Sequence, residues 1–251
     1  MRYFVCRAFH KTVMGSNETA NAIANSLSGV LRQASEASQR VGTTVPPRLV
    51  AVSKTKPVAD LQAAYDAGQR YFGENYVQEI VEKSPELPND IQWHFIGHLQ
   101  SNKVKTLLEG VPSLSCLETL DSEKLANKLN NAVESLGRDP LQVYVQVNTS
   151  GEESKYGVEP GDECVSLCKH VLTSCPNLRL AGLMTIGQPD YSSRPENFET
   201  LKQCRKEVCS ALGQDEGALE LSMGMSGDYV QAIEMGSTNI RVGSTIFGRR
   251  G

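Results

Sequence analysis

The sequence predicts a single (β/α)8 barrel of the TIM type, with an additional N-terminal helix. Three observations carry that expectation. Short apolar or alternating runs recur eight times, each followed by a helix-like segment, at a spacing of about 20–35 residues. The chain has 251 residues, and such barrels commonly occupy about 250 as one domain. No GxGxxG fingerprint follows the first strand, as the open doubly wound alternative would more often show.

The elements follow in order. Residues 17–39 carry Ile23, Leu27, Val30 and Leu31 at helical spacing, which reads as an amphipathic helix. VGTTVPP, residues 41–47, is a linker, because its Gly and Pro-Pro end helices. Strand one, residues 48–53, holds the apolar run Leu49-Val50-Ala51-Val52 and stops at Ser53-Lys54-Thr55-Lys56. A run of that kind before a helix reads as a parallel strand buried on both faces. Pro57 opens the helix at 58–67, closed by Gly68. Then come strand two at 70–73 and a helix at 76–83, strand three at 91–96 and a helix at 100–108. Strand four at 113–117 leads to a helix at 122–136, closed by Gly137. Strand five at 141–147 precedes a helix at 162–173, and strand six at 178–184 precedes one at 196–212. Strand seven at 219–223, a short helix at 229–235 and strand eight at 239–242 complete the count.

Composition narrows the function. Hydrophobic residues are 39% and charged residues 22%, with a formal net charge of -4. That balance argues against a general nucleic-acid binder, which usually carries a basic footprint. No apolar run reaches the roughly 20 residues that span a bilayer. The seven cysteines form no CxxC pair, and Cys164 and Cys168 lack a matching His pair for zinc. They read as reduced thiols in a cytoplasmic compartment. Residues 1–17 hold Arg2, Arg7 and Lys11 with no acid before Glu18. They read as an N-terminal extension, with a mitochondrial targeting leader as the alternative. Residues 18–251 form the barrel domain.

In a barrel the residues just after each strand converge on one face. Here they are Ser53-Lys54-Thr55, Gly73-Glu74-Asn75, Gly97-His98, Glu118-Thr119, Asn148-Thr149, Met184-Thr185, and the stretches 222–227 and 241–245. Barrels often bind phosphate with the loops after strands seven and eight. In SMGMSGDY, Ser226 is a natural N-cap for a helix beginning near Asp228, and Gly227 lets a ligand approach the backbone. In RVGSTIFG, Gly243, Ser244 and Thr245 offer N–H and hydroxyl donors, and Arg241 a fixed cation. Either segment alone is as well read as a tight turn with a helix cap; the two together favour a phosphate.

Lys54 is then the amine at the neighbouring strand end, since strand eight pairs with strand one in a closed barrel. A lone lysine there would be a solvated strand end. Beside a phosphate site it suits an aldehyde with a distant phosphate, the form of pyridoxal 5'-phosphate (PLP), held as a Schiff base. Lys56, beside Pro57, reads as already leaving the strand. His94 reads as core packing. No aspartate stands where it would keep a pyridine nitrogen protonated, and Arg241 is the nearest polar candidate.

The stretches VAVSKTKP, RYFGENYVQE, WHFIGHLQSNK, NTSGEESKYG, GLMTIG and LSMGMSGDYVQAIEMGSTNIRVGSTIFG resemble the pyridoxal phosphate homeostasis protein family. That family is similar to the N-terminal barrel of alanine racemase standing alone. The resemblance runs from about residue 47 to 248. It implies a barrel fold, PLP as cofactor and a role in intracellular vitamin B6 homeostasis. It also implies Lys54 as the Schiff-base lysine, with phosphate contacts at Ser226, Gly227, Arg241, Gly243 and Ser244 or Thr245. Asn75 and Met223 are expected near the ring.

Three functions compete: a PLP carrier without dedicated turnover, a PLP enzyme, an amino-acid racemase or a related one of low activity, and a barrel that binds only an anion. Racemisation needs an acid–base group on each face of the substrate Cα. In the racemases that the chain resembles, one comes from a second domain across a dimer. Only Arg249-Arg250-Gly251 follow IFG here. The expectation is therefore a monomeric carrier, with PLP-requiring apo-enzymes as partners.

Overall fold

Leu49, Val50 and Ala51 are buried on both faces of the first strand, as a strand enclosed between a barrel interior and outer helices must be. The computed structural model describes residues 2–43, 45–152, 156–187 and 195–249, with side chains from residue 17 onward. Residues 153–155 of the NTSGEESKYG stretch, and residues 250–251, lie outside the described residues.

The order is α1 (Arg2–Arg40), β1 (Arg48–Val52), α2 (Val58–Asp66), β2 (Tyr71–Glu74), α3 (Val77–Lys83), β3 (Gln92–Phe95) and α4 (Val104–Gly110). Then follow β4 (Leu114–Leu120), α5 (Glu123–Ser135), β5 (Leu141–Gln146), α6 (Asp162–Ser174), β6 (Leu178–Met184) and α7 (Pro195–Leu212). The chain continues through β7 (Glu220–Ser222), α8 (Tyr229–Glu234), β8 (Asn239–Val242) and α9 (Ser244–Phe247). The eight strands are parallel and close in the order β1 to β8. Closure places Leu49 opposite Ile240, and Val50 opposite Arg241. The (β/α)8 expectation holds.

α1 begins at Arg2 rather than Asn17. Its buried face is Ile23, Leu27, Val30, Ala34 and Ala37, at the 3–4 residue spacing of one helical stripe. It packs on α2, α8 and α9, which flank the β8–β1 closure, so α1 covers that seam from outside. Leu31 stands off this stripe and is 46% exposed, which corrects its place in the expected apolar face.

The main core lies between the strands and the outer helices. The barrel interior is unusually polar. Ser222, Asn239, Arg241, His94 and Glu118 are all buried there, and beneath them Arg48 donates to Glu220 and Tyr144. Among the described residues Cys116, Tyr144 and Met184 form a small apolar cluster apart from the main core. The six described cysteines are free and buried. Among the described residues no helix is long and apolar enough to cross a membrane, and no group of three potential metal ligands occurs.

Candidate cofactor site

A cavity of about 770 Å³ opens where the strand C-termini converge. Lys54 and Lys56 reach it from the end of β1, Asn75 from the end of β2, and Gln146, Asn148 and Thr185 from the β5–β6 side. Met225, Ser226 and Gly227 line it after β7, and Arg241, Gly243, Ser244 and Thr245 from β8 onward. The structure thus brings together Lys54, Asn75, Ser226, Gly227, Arg241, Gly243, Ser244 and Thr245.

Met223 is not among them. It is fully buried in the main core. The reason is strand alternation. Ser222 points into the barrel, where its hydroxyl donates to Glu118, so the next side chain turns outward to the helices. Met225, two residues on, is the methionine at the cavity.

Ser226 also differs from its expected role. The N-cap of α8 is Asp228, whose Oδ1 accepts the N–H of Met225 at 2.6 Å. Ser226 Oγ instead reaches across to the loop after β8 and accepts from the N–H groups of Gly243 at 3.2 Å and Thr245 at 3.5 Å. An oxygen is thus already held by the N–H groups that open α9, a helix start whose donors lack partners within the helix. The two loops form one cradle. A Cβ on Gly243 would lie 3.0 Å from the Val52 carbonyl oxygen and 3.2 Å from Val52 Cβ, so glycine is what lets this loop lie against β1 near Lys54.

Asn75 is fixed by a similar approach. A Cβ on Gly97 would sit 2.0 Å from the Asn75 carbonyl oxygen, and Thr119 Oγ1 donates to the Gly97 carbonyl at 2.7 Å. Asn75 Oδ1 is buried without a protein partner. A buried orphan polar atom at a cavity is the sign of a site built to receive a ligand. Polar groups, two lysines and an N–H cradle around a preformed cavity fit PLP in both its aldehyde and its phosphate.

Arg241 lies within β8 rather than after it. Its Nη2 donates to the Thr185 carbonyl at 2.7 Å, and its Nη1 to Ser222 Oγ. Glu118, expected just past strand four, lies inside β4, with Oε2 3.7 Å from the Arg241 guanidinium. Its Oε1 is 2.6 Å from His94 Nδ1, and both oxygens accept from Asn239 Nδ2. Burial opposes ionisation of Glu118. The His94 bond, the His94 and Arg241 charges and the Ser222 hydroxyl outweigh it and hold the carboxyl down at about 2. Burial lowers the Arg241 guanidinium, and the Glu118 charge partly restores it. His94 faces inward but does not line the cavity.

Sequence reasoning did not single out Gln146, Met225 or Tyr156 for the site. Gln146 Nε2 donates to the Tyr156 carbonyl at 2.9 Å, and the Tyr156 ring stacks on His98 with centroids 3.6 Å apart. Gln146 is the last residue of β5, so only the strand's phase could have placed it.

A lysine and an anion cradle on adjacent strands of a parallel barrel define a barrel of the alanine racemase N-terminal type, whose family model matches residues 26–251. The pyridoxal phosphate homeostasis protein of Mus musculus is 52% identical over 215 residues, covering 82% of this chain and 78% of that one. The structure of PipY from Synechococcus elongatus with PLP bound is 34% identical with a TM-score of 0.67, covering 85% of this chain and 99% of that one. A protein from Bifidobacterium adolescentis is 33% identical with a TM-score of 0.82, covering 92% of this chain and 96% of that one. The chain belongs to the pyridoxal phosphate homeostasis protein family.

Proposed function

We propose that the chain binds PLP and serves intracellular vitamin B6 homeostasis, holding the cofactor on Lys54. The carrying observation is the adjacency of Lys54 to the Ser226–Gly243–Thr245 cradle across the β1–β8 closure, around one cavity. The relatives' names and the PLP-bound PipY structure support the reading. When bound, PLP supplies an aldehyde carbon that joins one amine with loss of one water.

The chain's own groups divide the work. The N–H and hydroxyl groups of Ser226, Gly227, Gly243, Ser244 and Thr245 hold the phosphate. Asn75 offers its orphan oxygen beside the ring, and Met225 offers apolar contact. Arg241, inside β8, serves the ring rather than the phosphate. A guanidinium there disfavours a proton on the ring nitrogen, which weakens the ring as an electron sink and suits holding over turnover. Lys56 Nζ donates to the Arg249 carbonyl at 3.1 Å, and attachment is assigned to Lys54, the lysine nearer the end of β1. The protein works as a monomer in the cytoplasm and passes cofactor to PLP-requiring apo-enzymes.

Purified protein loaded with PLP should be yellow, and borohydride should fix the cofactor to the peptide containing Lys54. Lys54→Ala should lose both properties. A reducible adduct that survives in Lys54→Ala overturns the assignment. Incubation with L-alanine or L-serine tests the racemase alternative. Appearance of D-isomers at about 1 per second or faster would replace the carrier reading with an enzyme.

A further inference from the structure

The backbone on both sides of Lys54 is held by the same pair of side chains from the neighbouring βα unit. Ser53 precedes Lys54, and its carbonyl accepts from Lys83 Nζ at 3.1 Å. Thr55 follows Lys54, and its N–H donates to Glu79 Oε2 at 2.8 Å. Lys83 joins the two, donating to Glu79 Oε2 at 2.7 Å and to Glu74 Oε1 at 2.8 Å. The Ser53 hydroxyl donates to the same Glu74 oxygen at 2.7 Å. Lys83 is 9% exposed and Glu74 fully buried, which is unusual for both types unless they are paired. An ammonium has three N–H donors, and these three contacts account for all of them.

Thr55 has a φ of 65°, alone among non-glycine residues described. A β-branched residue adopts that left-handed conformation only under outside constraint. The constraint here is the Glu79 carboxylate on its N–H. Glu79 is held below its ordinary carboxyl range: burial raises it, but the Lys83 bond and the Thr55 N–H outweigh that.

We infer that Glu79 and Lys83 are positioning residues for Lys54, clamping the chain before and after it so that the amine meets an aldehyde anchored by its phosphate on the far loops. This rests on Lys54 as the point of attachment. A cluster that only stabilised the β2–α3 unit would need neither the Ser53 carbonyl nor the Thr55 N–H. Positioning matters only to an aldehyde anchored elsewhere, because the gain is one of proximity. Pyridoxal lacks the phosphate and serves as the unanchored control.

The test measures the rate at which Lys54 reacts with PLP and with pyridoxal, each trapped by borohydride and mapped to its peptide. In Glu79→Ala the PLP-to-pyridoxal rate ratio should fall about ten-fold or more. Glu79→Gln keeps an acceptor for the Thr55 N–H and should stay within about three-fold of wild type. Thr55→Gly in the Glu79→Ala background should regain part of the ratio, because glycine holds a left-handed φ without strain. An unchanged ratio in Glu79→Ala, with a lower melting temperature, assigns a purely structural role and overturns the proposal. Should Glu79→Ala not fold, Lys83→Met is read the same way. Lys54→Ala run in parallel separates the two readings: a surviving PLP adduct there defeats the attachment site itself.

Discussion

At the residue scale, two methionines two positions apart divide stability from binding. Met223 is fully buried in the core, whereas Met225 lines the cavity. Met223→Ala should lower unfolding free energy by about 2–5 kcal/mol, the usual cost of emptying a core methionine. Per folded molecule its PLP affinity should stay near wild type. Met225→Ala should do the reverse, weakening PLP binding several-fold with little change in melting temperature. Calorimetry with a PLP titration on both variants checks the pair; a Met223→Ala protein that is stable and binds poorly would return that residue to the site. The pair also shows what was legible in the sequence. Lys54 and the serine and glycines of the two loops could be placed around one cavity from the sequence because each follows closely on a strand of the barrel. Met223 was misplaced because the phase of alternation past a three-residue strand is set by Ser222, which turns inward to Glu118. That partner lies 104 positions away in sequence.

At the element scale, strands six and eight stand where their apolar runs put them, at Leu178–Met184 and Asn239–Val242. The sequence ends strand four at residue 117, because Glu118 and Thr119 look like loop residues, whereas β4 runs on to Leu120. Glu118 is accommodated in β4 because His94 of neighbouring β3 and Arg241 and Asn239 of β8 satisfy its carboxylate, and the Thr119 hydroxyl donates to the Gly97 carbonyl. Local sequence cannot show such partners. Likewise α9 was unseen, since a four-residue helix leaves no period to read. The face of α1 is testable. Leu27 is 1% exposed and Leu31 46%. Leu27→Ala should cost about 2–5 kcal/mol, whereas Leu31→Ala should stay within about 0.5 kcal/mol. Denaturant unfolding of both variants measures this; equal effects would mean that α1 does not seal the β8–β1 seam by that stripe.

At the scale of the whole molecule, the polar barrel interior is one connected column. Arg48 and Glu220 lie at its base, bonded to Tyr144 and Asn239. Asn239 leads to Glu118, and Glu118 through Ser222 to Arg241 at the cavity. The cofactor end therefore shares its electrostatics with the strands that close the barrel, and the column should be read in acid. Glu118 is held at about 2 against an ordinary 4.5. A carboxyl lowered in the folded state contributes stability that is complete above its unfolded value and is lost as pH falls through its folded one. The window is thus from about 4.5 down to about 2. Integrated over it, Glu118 should account for on the order of 3 kcal/mol. Glu118→Gln keeps the shape but removes the titration. It should be less stable than wild type near neutrality, and that gap should shrink steadily as acid protonates the wild-type carboxyl. Other carboxyls cancel in the difference between the two proteins. Urea unfolding of both at a series of pH values gives the gap directly. A gap that stays constant from neutrality to the acid limit would show that His94 and Arg241 do not hold Glu118 as an anion, and would dissolve the column as an electrostatic unit.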